Sequence, residues 1–336
     1  MDTNVMEKLE ARAKGDPKRI IFPESDEPKI LQAARQVLDR GIAYPTLVGK
    51  PEAIGVLAES NGISLEGITI VDHTDPANVE RVTTEYAKTN GMFPVKALQR
   101  MVRDRMYFAA MMEAIGEVDG MVSGITYTTG DVILACQTII GLAEGISTVS
   151  SVGLSPIRGY DGPDGNLLAM ADCAVNPAPD ANELADIAIA SADTTRSIVG
   201  WQPRVALLSF STKGSASHER VDTVIEALRI VRERRPDILI DGELQLDTAL
   251  IPDVAAKKVK GGSPVAGKAN ILIYPDLGAG NIGVKIFGIF AHGGPGFGPL
   301  LQGFAKPVCD LSRGANVAGV VGAATVVTVL AQAKGE

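Results

Sequence analysis

RIIFPESDEPKILQAARQVLDRGIAYPTLVG, residues 19–49, begins with a short apolar run and breaks into a loop of Pro, Glu, Ser and Asp. Next comes a segment in which Ile30, Leu31, Ala34, Val37 and Leu38 share one helical face, and a second apolar run follows directly. Apolar spacing that switches from a continuous run to a period near 3.6 and back predicts strand, helix, strand. The same alternation recurs where "GMVSG" precedes "TGDVILACQTII", where "RVALLSFSTKG" precedes "RVDTVIEALRIVRERR", and where "ANILIYPDLGAGN" precedes a further apolar segment. Repeated strand–helix units imply an α/β fold with mostly parallel sheets covered on both faces.

A chain of 336 residues exceeds the usual span of one core, so two domains are expected. The Gly-, Asp- and Pro-rich stretch after residue 150 sets the crossing near there; its "GYDGPDGN" suits a tight turn. With 46% hydrophobic and 21% charged residues, the chain has the composition of a globular protein rather than a disordered one. A net charge of -8 argues against nucleic-acid binding, since phosphate backbones need clustered cations. The one dense basic spot, Arg232, Arg234 and Arg235, ends a helical pattern and suits the negative end of a helix dipole. Cys136, Cys173 and Cys309 lack ligand spacing and read as reduced thiols in a cytoplasmic protein. The charged amphipathic start has no apolar core of a signal peptide, and "VAGVVGAATVVTVLA" is too short to span a bilayer, so no membrane role is expected.

In parallel α/β sheets ligands bind where strands end and helices begin. Ser209, Ser211, Thr212, Lys213, Gly214 and Ser215 follow an apolar run and precede a helical pattern, an order that suits either an anion cradle or a plain helix cap. Asp241, Glu243 and Asp247 are close in sequence, but alternation along a strand does not converge their oxygens on a metal, so a structural role is expected. His218 reads as a helix-start residue; His292, in a glycine-rich loop, is a candidate base. Asp276, Gly278, Gly280 and Asn281 do not form a dinucleotide fingerprint. Ser312 and Arg313 follow "KPVCDL" and precede a long apolar helical pattern. A hydroxyl, a guanidinium and a helix N-terminus there suit an anion or a developing oxyanion; the plain alternative is a Ser cap beside a solvated Arg.

Several long strings resemble the phosphate acetyltransferase and phosphate butyryltransferase family: "IIFPESDEPKILQAA", "DGMVSG", "ADCAVNPAPDANELADIAI", "RVALLSFSTKGSA", "IDGELQLDTALIPDVA", "SPVAGKANILIYPDLGAGNIGVKI" and "GPLLQGFAKPVCDLSRG". The resemblance implies reversible acetyl transfer between coenzyme A and inorganic phosphate, with no metal in the chemical step and coenzyme A as substrate rather than cofactor. It also implies two α/β/α domains related to the isocitrate and isopropylmalate dehydrogenases, a cleft between them and a homodimer. Residues 306–336 are then expected to return to a first domain of 1–149, leaving 150–305 as the second and dimerising one. Ser312 and Arg313 match the motif's catalytic pair. Ser123 and Gly124, together with the loop from Ser209 to Gly214 and Asp310, match substrate-lining positions.

The chain departs from the family pattern where an acid is taken to act on the thiol, seven residues after the motif serine, since it has Gly319 there. Ala87 and Leu134 stand where arginines are usual. Stand-ins for the anion-binding charges are Lys88, Arg158, Arg100, Arg103 and Arg105, and for the base His292, Asp310 or Asn316. Two readings follow: an acyltransferase, acetyl-specific or taking butyryl or another short chain, or a homologue that binds acyl-CoA without turnover.

Overall fold

A computed structural model describes residues 5–290 and 297–334. The chain runs α1 (Val5–Gly15), β1 (Lys18–Phe22), α2 (Pro28–Asp39), β2 (Ala43–Val48), α3 (Pro51–Ser60), β3 (Thr69–Val71), α4 (Pro76–Thr89), α5 (Val95–Met101), α6 (Arg105–Ala114), β4 (Gly120–Ser123) and α7 (Thr129–Ile139). It continues through β5 (Ser150–Pro156), β6 (Leu167–Ala171), α8 (Ala181–Val199), β7 (Arg204–Leu208), α9 (Glu219–Arg234), β8 (Leu239–Leu244), α10 (Leu246–Leu250) and α11 (Pro252–Lys258). Then come β9 (Ile271–Ile273), α12 (Leu277–Phe290), β10 (Phe297–Gln302), β11 (Val308–Asp310) and α13 (Val317–Ala333). Two compact units result, Met1–Ala143 with Phe304–Glu336, and Glu144–Gly303.

The first unit holds a five-stranded sheet in the order β11-β4-β1-β2-β3, parallel throughout. Ile20, Ile21 and Phe22 are all fully buried, which is why β1 reads as a continuous apolar run rather than an alternating one. Burying each such side chain contributes about 1.5–3 kcal/mol. α2 packs with α13, and α13 lies on β1 and β4; α6 packs on the same two strands with α4 and α7 beside it. The chain moves outward from β1 to β2 and β3, then returns to the other side of β1 as β4. Loops after β1 and β4 therefore leave the sheet in opposite directions, the arrangement that opens a crevice at the carboxyl ends of strands.

The second unit holds six strands ordered β10-β5-β6-β9-β7-β8. β6, β9, β7 and β8 are parallel, as the strand–helix alternation predicts. β5 pairs antiparallel with both β6 and β10, which the alternation did not foretell. The reason is local: the Gly/Asp/Pro-rich segment joins β5 to β6 as a tight turn, closed by the bridge between Gly162 and Gly165, and leaves no room for a crossover helix. α8 is fixed at both ends, by a capping box of Asp180 and Glu183 and by Gly200 in the left-handed conformation at φ 71. α12 turns Val284 and Phe287 onto a core that includes Met170, Leu272 and Tyr274. Its opposite face leaves Ile282, Ile286 and Ile289 exposed. Among the described residues no helix is long and apolar enough to cross a membrane.

Candidate active site

Glu24, just beyond the end of β1, is fully buried and faces the loop that follows β4. One carboxylate oxygen accepts from the Ser123 hydroxyl at 3.2 Å, the Gly124 amide at 2.8 Å and the Ile125 amide at 3.2 Å. The other accepts from the Thr126 amide, from the Thr126 hydroxyl at 2.7 Å and from the Tyr127 amide at 3.0 Å. Four successive amides turned toward one point form an anion nest, and the anion in it is the protein's own. Ser123 and Gly124, matched by sequence to a substrate-lining loop, are thus held from beneath by a residue that sequence reasoning passed over. The available signal was an acid at a strand's carboxyl end, ahead of a helix.

The same loop is joined to the end of β11. The Leu311 amide donates to the Ser123 carbonyl at 2.6 Å. Gly124 has φ +113, and a Cβ on it would fall into Asp310 Oδ1 and the Leu311 backbone, so only glycine fits. Asp310 Oδ2 accepts from the Thr129 hydroxyl at 2.5 Å, while Oδ1 is buried with no hydrogen-bond partner among the described residues. Burial, with the Glu24 charge adding to it and the Thr129 hydroxyl opposing it, raises the Asp310 carboxyl to about 6.

Ser312 and Arg313 follow at once and are exposed. Neither is the helix cap: α13 starts at Val317, and its cap is Asn316, whose Oδ1 accepts from the Gly319 amide at 2.9 Å. The four residues between Ser312 and the helix include a turn closed by the Ala315 amide on the Ser312 carbonyl at 2.8 Å, with Lys29 Nζ on the Ala315 carbonyl at 3.3 Å. Among the described residues the Ser312 hydroxyl has one long contact, 3.4 Å, from the Gly314 amide. Among the described residues Arg313 makes no ion pair within 4.0 Å. Its field reaches Asp131 at the start of α7, whose carboxyl is held below the usual range by the Thr128 hydroxyl first, then the Thr128 amide, with Arg313 adding.

Other stand-in residues are placed as follows. Arg105, at the start of α6, pairs with Asp26 at 2.7 Å, and the preceding Asp104 accepts from the Tyr127 hydroxyl at 2.7 Å. Lys88 pairs with Glu85, while Arg100, Arg103 and Arg158 are exposed. Gly319 lies at the third position of α13, Ala87 is half-buried on α4, and Leu134 is exposed on α7. His292 lies outside the described residues.

In the second unit the loop of residues 209–214 is built around acids of β8. Ser211 is fully buried and donates to Glu243 Oε1 at 2.9 Å, which also accepts from the Gly214 amide at 2.7 Å. The Thr212 hydroxyl accepts from the Gln245 amide at 2.9 Å. Lys213, at φ 47, donates to Asp241 at 2.6 Å and to the Gly242 carbonyl. The Ser211 and Thr212 hydroxyls therefore point inward, and Lys213, though its ammonium is paired with Asp241, stays exposed beside Phe210. The helix cap read into this segment is His218, whose Nδ1 accepts from the Arg220 amide at 3.2 Å. Asp247 pairs with Lys258 at 2.8 Å, away from the Asp241 and Glu243 contacts.

A family profile described as phosphate acetyl/butaryl transferase matches residues 4–329. A phosphate acetyltransferase of Thermoanaerobacterium thermosaccharolyticum is 41% identical over 332 residues, covering 98% of this chain and 100% of the relative. One of Clostridium acetobutylicum is 42% identical, covering 98% of this chain and 99% of its own. A solved phosphotransacetylase from Streptococcus pyogenes has a TM-score of 0.89 at 34% identity, over 99% of each chain. Likeness of this extent, with the strand-end motif in place, means that the chain belongs to the phosphate acetyl/butyryl transferase family of acyltransferases.

Proposed function

We propose that the protein transfers an acetyl group reversibly between coenzyme A and inorganic phosphate, using the loop that ends β11. In this reading the coenzyme A sulfur attacks the carbonyl carbon of acetyl phosphate, and its proton passes to Asp310. The tetrahedral intermediate then collapses with cleavage of the bond to phosphate, giving the thioester and free phosphate. A thiol with an ordinary pKa near 8.5 is mostly protonated at neutral pH, so a base on the protein lowers the barrier. Asp310 suits that role because one oxygen is fixed by Thr129 while burial keeps the carboxyl near 6. Arg313 and Ser312 supply a cation and a hydroxyl to the phosphoryl group and to the oxyanion. Ser123 and Gly124 shape the floor of the site.

The observation that carries this reading is the pair Ser312 and Arg313, exposed and uncommitted two and three residues beyond a carboxylate with an unpartnered oxygen. We infer further a homodimer that covers the exposed Ile282, Ile286 and Ile289 face of α12, and a cytoplasmic setting that keeps the three free cysteines reduced. The test is acylation of coenzyme A by acetyl, propionyl and butyryl phosphate, beside Ser312→Ala and Arg313→Ala. Turnover fastest with acetyl phosphate is expected, falling about 10²- to 10³-fold in Arg313→Ala and less in Ser312→Ala. Tight acetyl-CoA binding without turnover in the unchanged protein would instead identify a binding homologue.

A further inference from the structure

We propose that Glu24 is a positioning residue for the transfer reaction: its buried carboxylate fixes the loop of residues 123–127 and, through that loop, the segment of residues 310–313. The inference rests on the acetyl-transfer reading above.

The geometry forms one chain of contacts. Six donors from a loop about a hundred positions away in sequence converge on the two oxygens of Glu24. No hydroxyl or amide side chain satisfies that set, because four backbone N–H groups and two hydroxyls need an acceptor with two oxygens and no hydrogens. The loop fixed in this way passes its position on through the bond from the Leu311 amide to the Ser123 carbonyl and through the close approach of Gly124 to Asp310 and Leu311. Thr129, shortly beyond the loop, then holds Asp310 by its other oxygen. A shift of the loop would therefore move the base and, with it, Ser312 and Arg313, and a displacement of about 1 Å at reacting groups costs about 10²-fold in rate. Glu24 also acts on Asp310 by charge. The groups that face Asp310 are Glu24 from the β1–α2 loop, Thr129 and Cys136 from α7, and Cys309 on its own strand.

The test compares the unchanged protein with Glu24→Gln and Thr126→Val. Glu24→Gln keeps the shape but turns an amide NH₂ toward donors, and Thr126→Val removes one exposed hydroxyl donor while keeping the backbone. Each is assayed for coenzyme A acylation over pH, for thermal unfolding, and for amide hydrogen exchange in residues 124–127 and 311–314. Expected are a kcat about 10²-fold lower in Glu24→Gln and threefold to tenfold lower in Thr126→Val, with KM changed by less than about threefold. The acid limb of the rate profile moves to lower pH in Glu24→Gln, because a negative charge beside Asp310 is gone. Faster exchange in both segments accompanies it.

An unchanged kcat in folded Glu24→Gln overturns the proposal, as does an unmoved acid limb with slow exchange in residues 311–314. If Glu24→Gln does not fold, Thr126→Val decides: a normal kcat and normal exchange in residues 311–314 overturn the proposal. If the unchanged protein proves inactive, the acetyl-transfer reading fails separately. The exchange data then decide, faster exchange in residues 311–314 supporting the positioning role and unchanged exchange refuting it.

Discussion

Asp310 has two unlike oxygens, one bonded to Thr129 and one buried without a partner among the described residues. Because its carboxyl is raised to about 6, the folded protein holds the proton at a pH where the unfolded chain has lost it. The stabilisation is complete below the ordinary aspartate range and is lost as the pH rises through about 6. Asp310→Asn removes the buried charge, so its melting temperature should exceed that of the unchanged protein at about pH 7.5 and match it at about pH 4. The same change should lower kcat by about 10²- to 10⁴-fold, as loss of a general base does. A variant equally active at neutral pH would assign the base elsewhere. Ser312, Arg313 and Asp310 could be proposed from the sequence because they adjoin in one motif. Glu24 was not, since its meaning lies in donors from residues 123–127.

Among the elements, α13 shows how a helix start and a missing side chain interact. Asn316 caps it, and Gly319 occupies the third helical position, where an acid would face the positive end of the dipole and could complete a capping box. A Cβ at Gly319 would meet nothing closer than Asn316 Oδ1 at 3.5 Å, so a side chain fits. Gly319→Asp should raise unfolding free energy by about 0.5–1.5 kcal/mol in urea melts, from the added charge and the lost glycine flexibility. With Asp310 as base, kcat should change by less than about threefold, not by the roughly 10²-fold gain expected if a base were being restored. A large gain would show that the reaction lacks a base in the unchanged chain. The periodic apolar pattern announced this helix, but it could not show that Ser312 stands outside it. A cap is defined by backbone geometry, and both Ser312 and Asn316 are residue types that cap.

At the level of the molecule, both units use one device: an acid near a strand's carboxyl end gathers the polar groups of the next strand's loop. Glu24 does so for residues 123–127, and Asp241 with Glu243 for residues 211–214. The proposed dimer turns on α12, whose exposed isoleucines recur at helical spacing. Ile286, 50% exposed, makes few demands on the fold of the single chain. Ile286→Lys should therefore leave the melting temperature of the monomer nearly unchanged while weakening self-association at least about tenfold, read by sedimentation velocity. Unaltered sedimentation would remove that face from the interface.

The alternation of continuous apolar runs with helical spacing was enough to establish an α/β fold with mostly parallel sheets, because strands buried on both faces and helices buried on one leave different periodicities in the chain. Long motif strings were enough to reach the family and to nominate Ser312 and Arg313. Tertiary structure alone decided the pairing of Lys213 with Asp241 and the set of donors gathered by Glu24. Each of these depends on which polar groups are buried opposite one another across large sequence separations. A buried carboxylate must find its donors wherever the fold brings them, and local spacing carries no record of that choice.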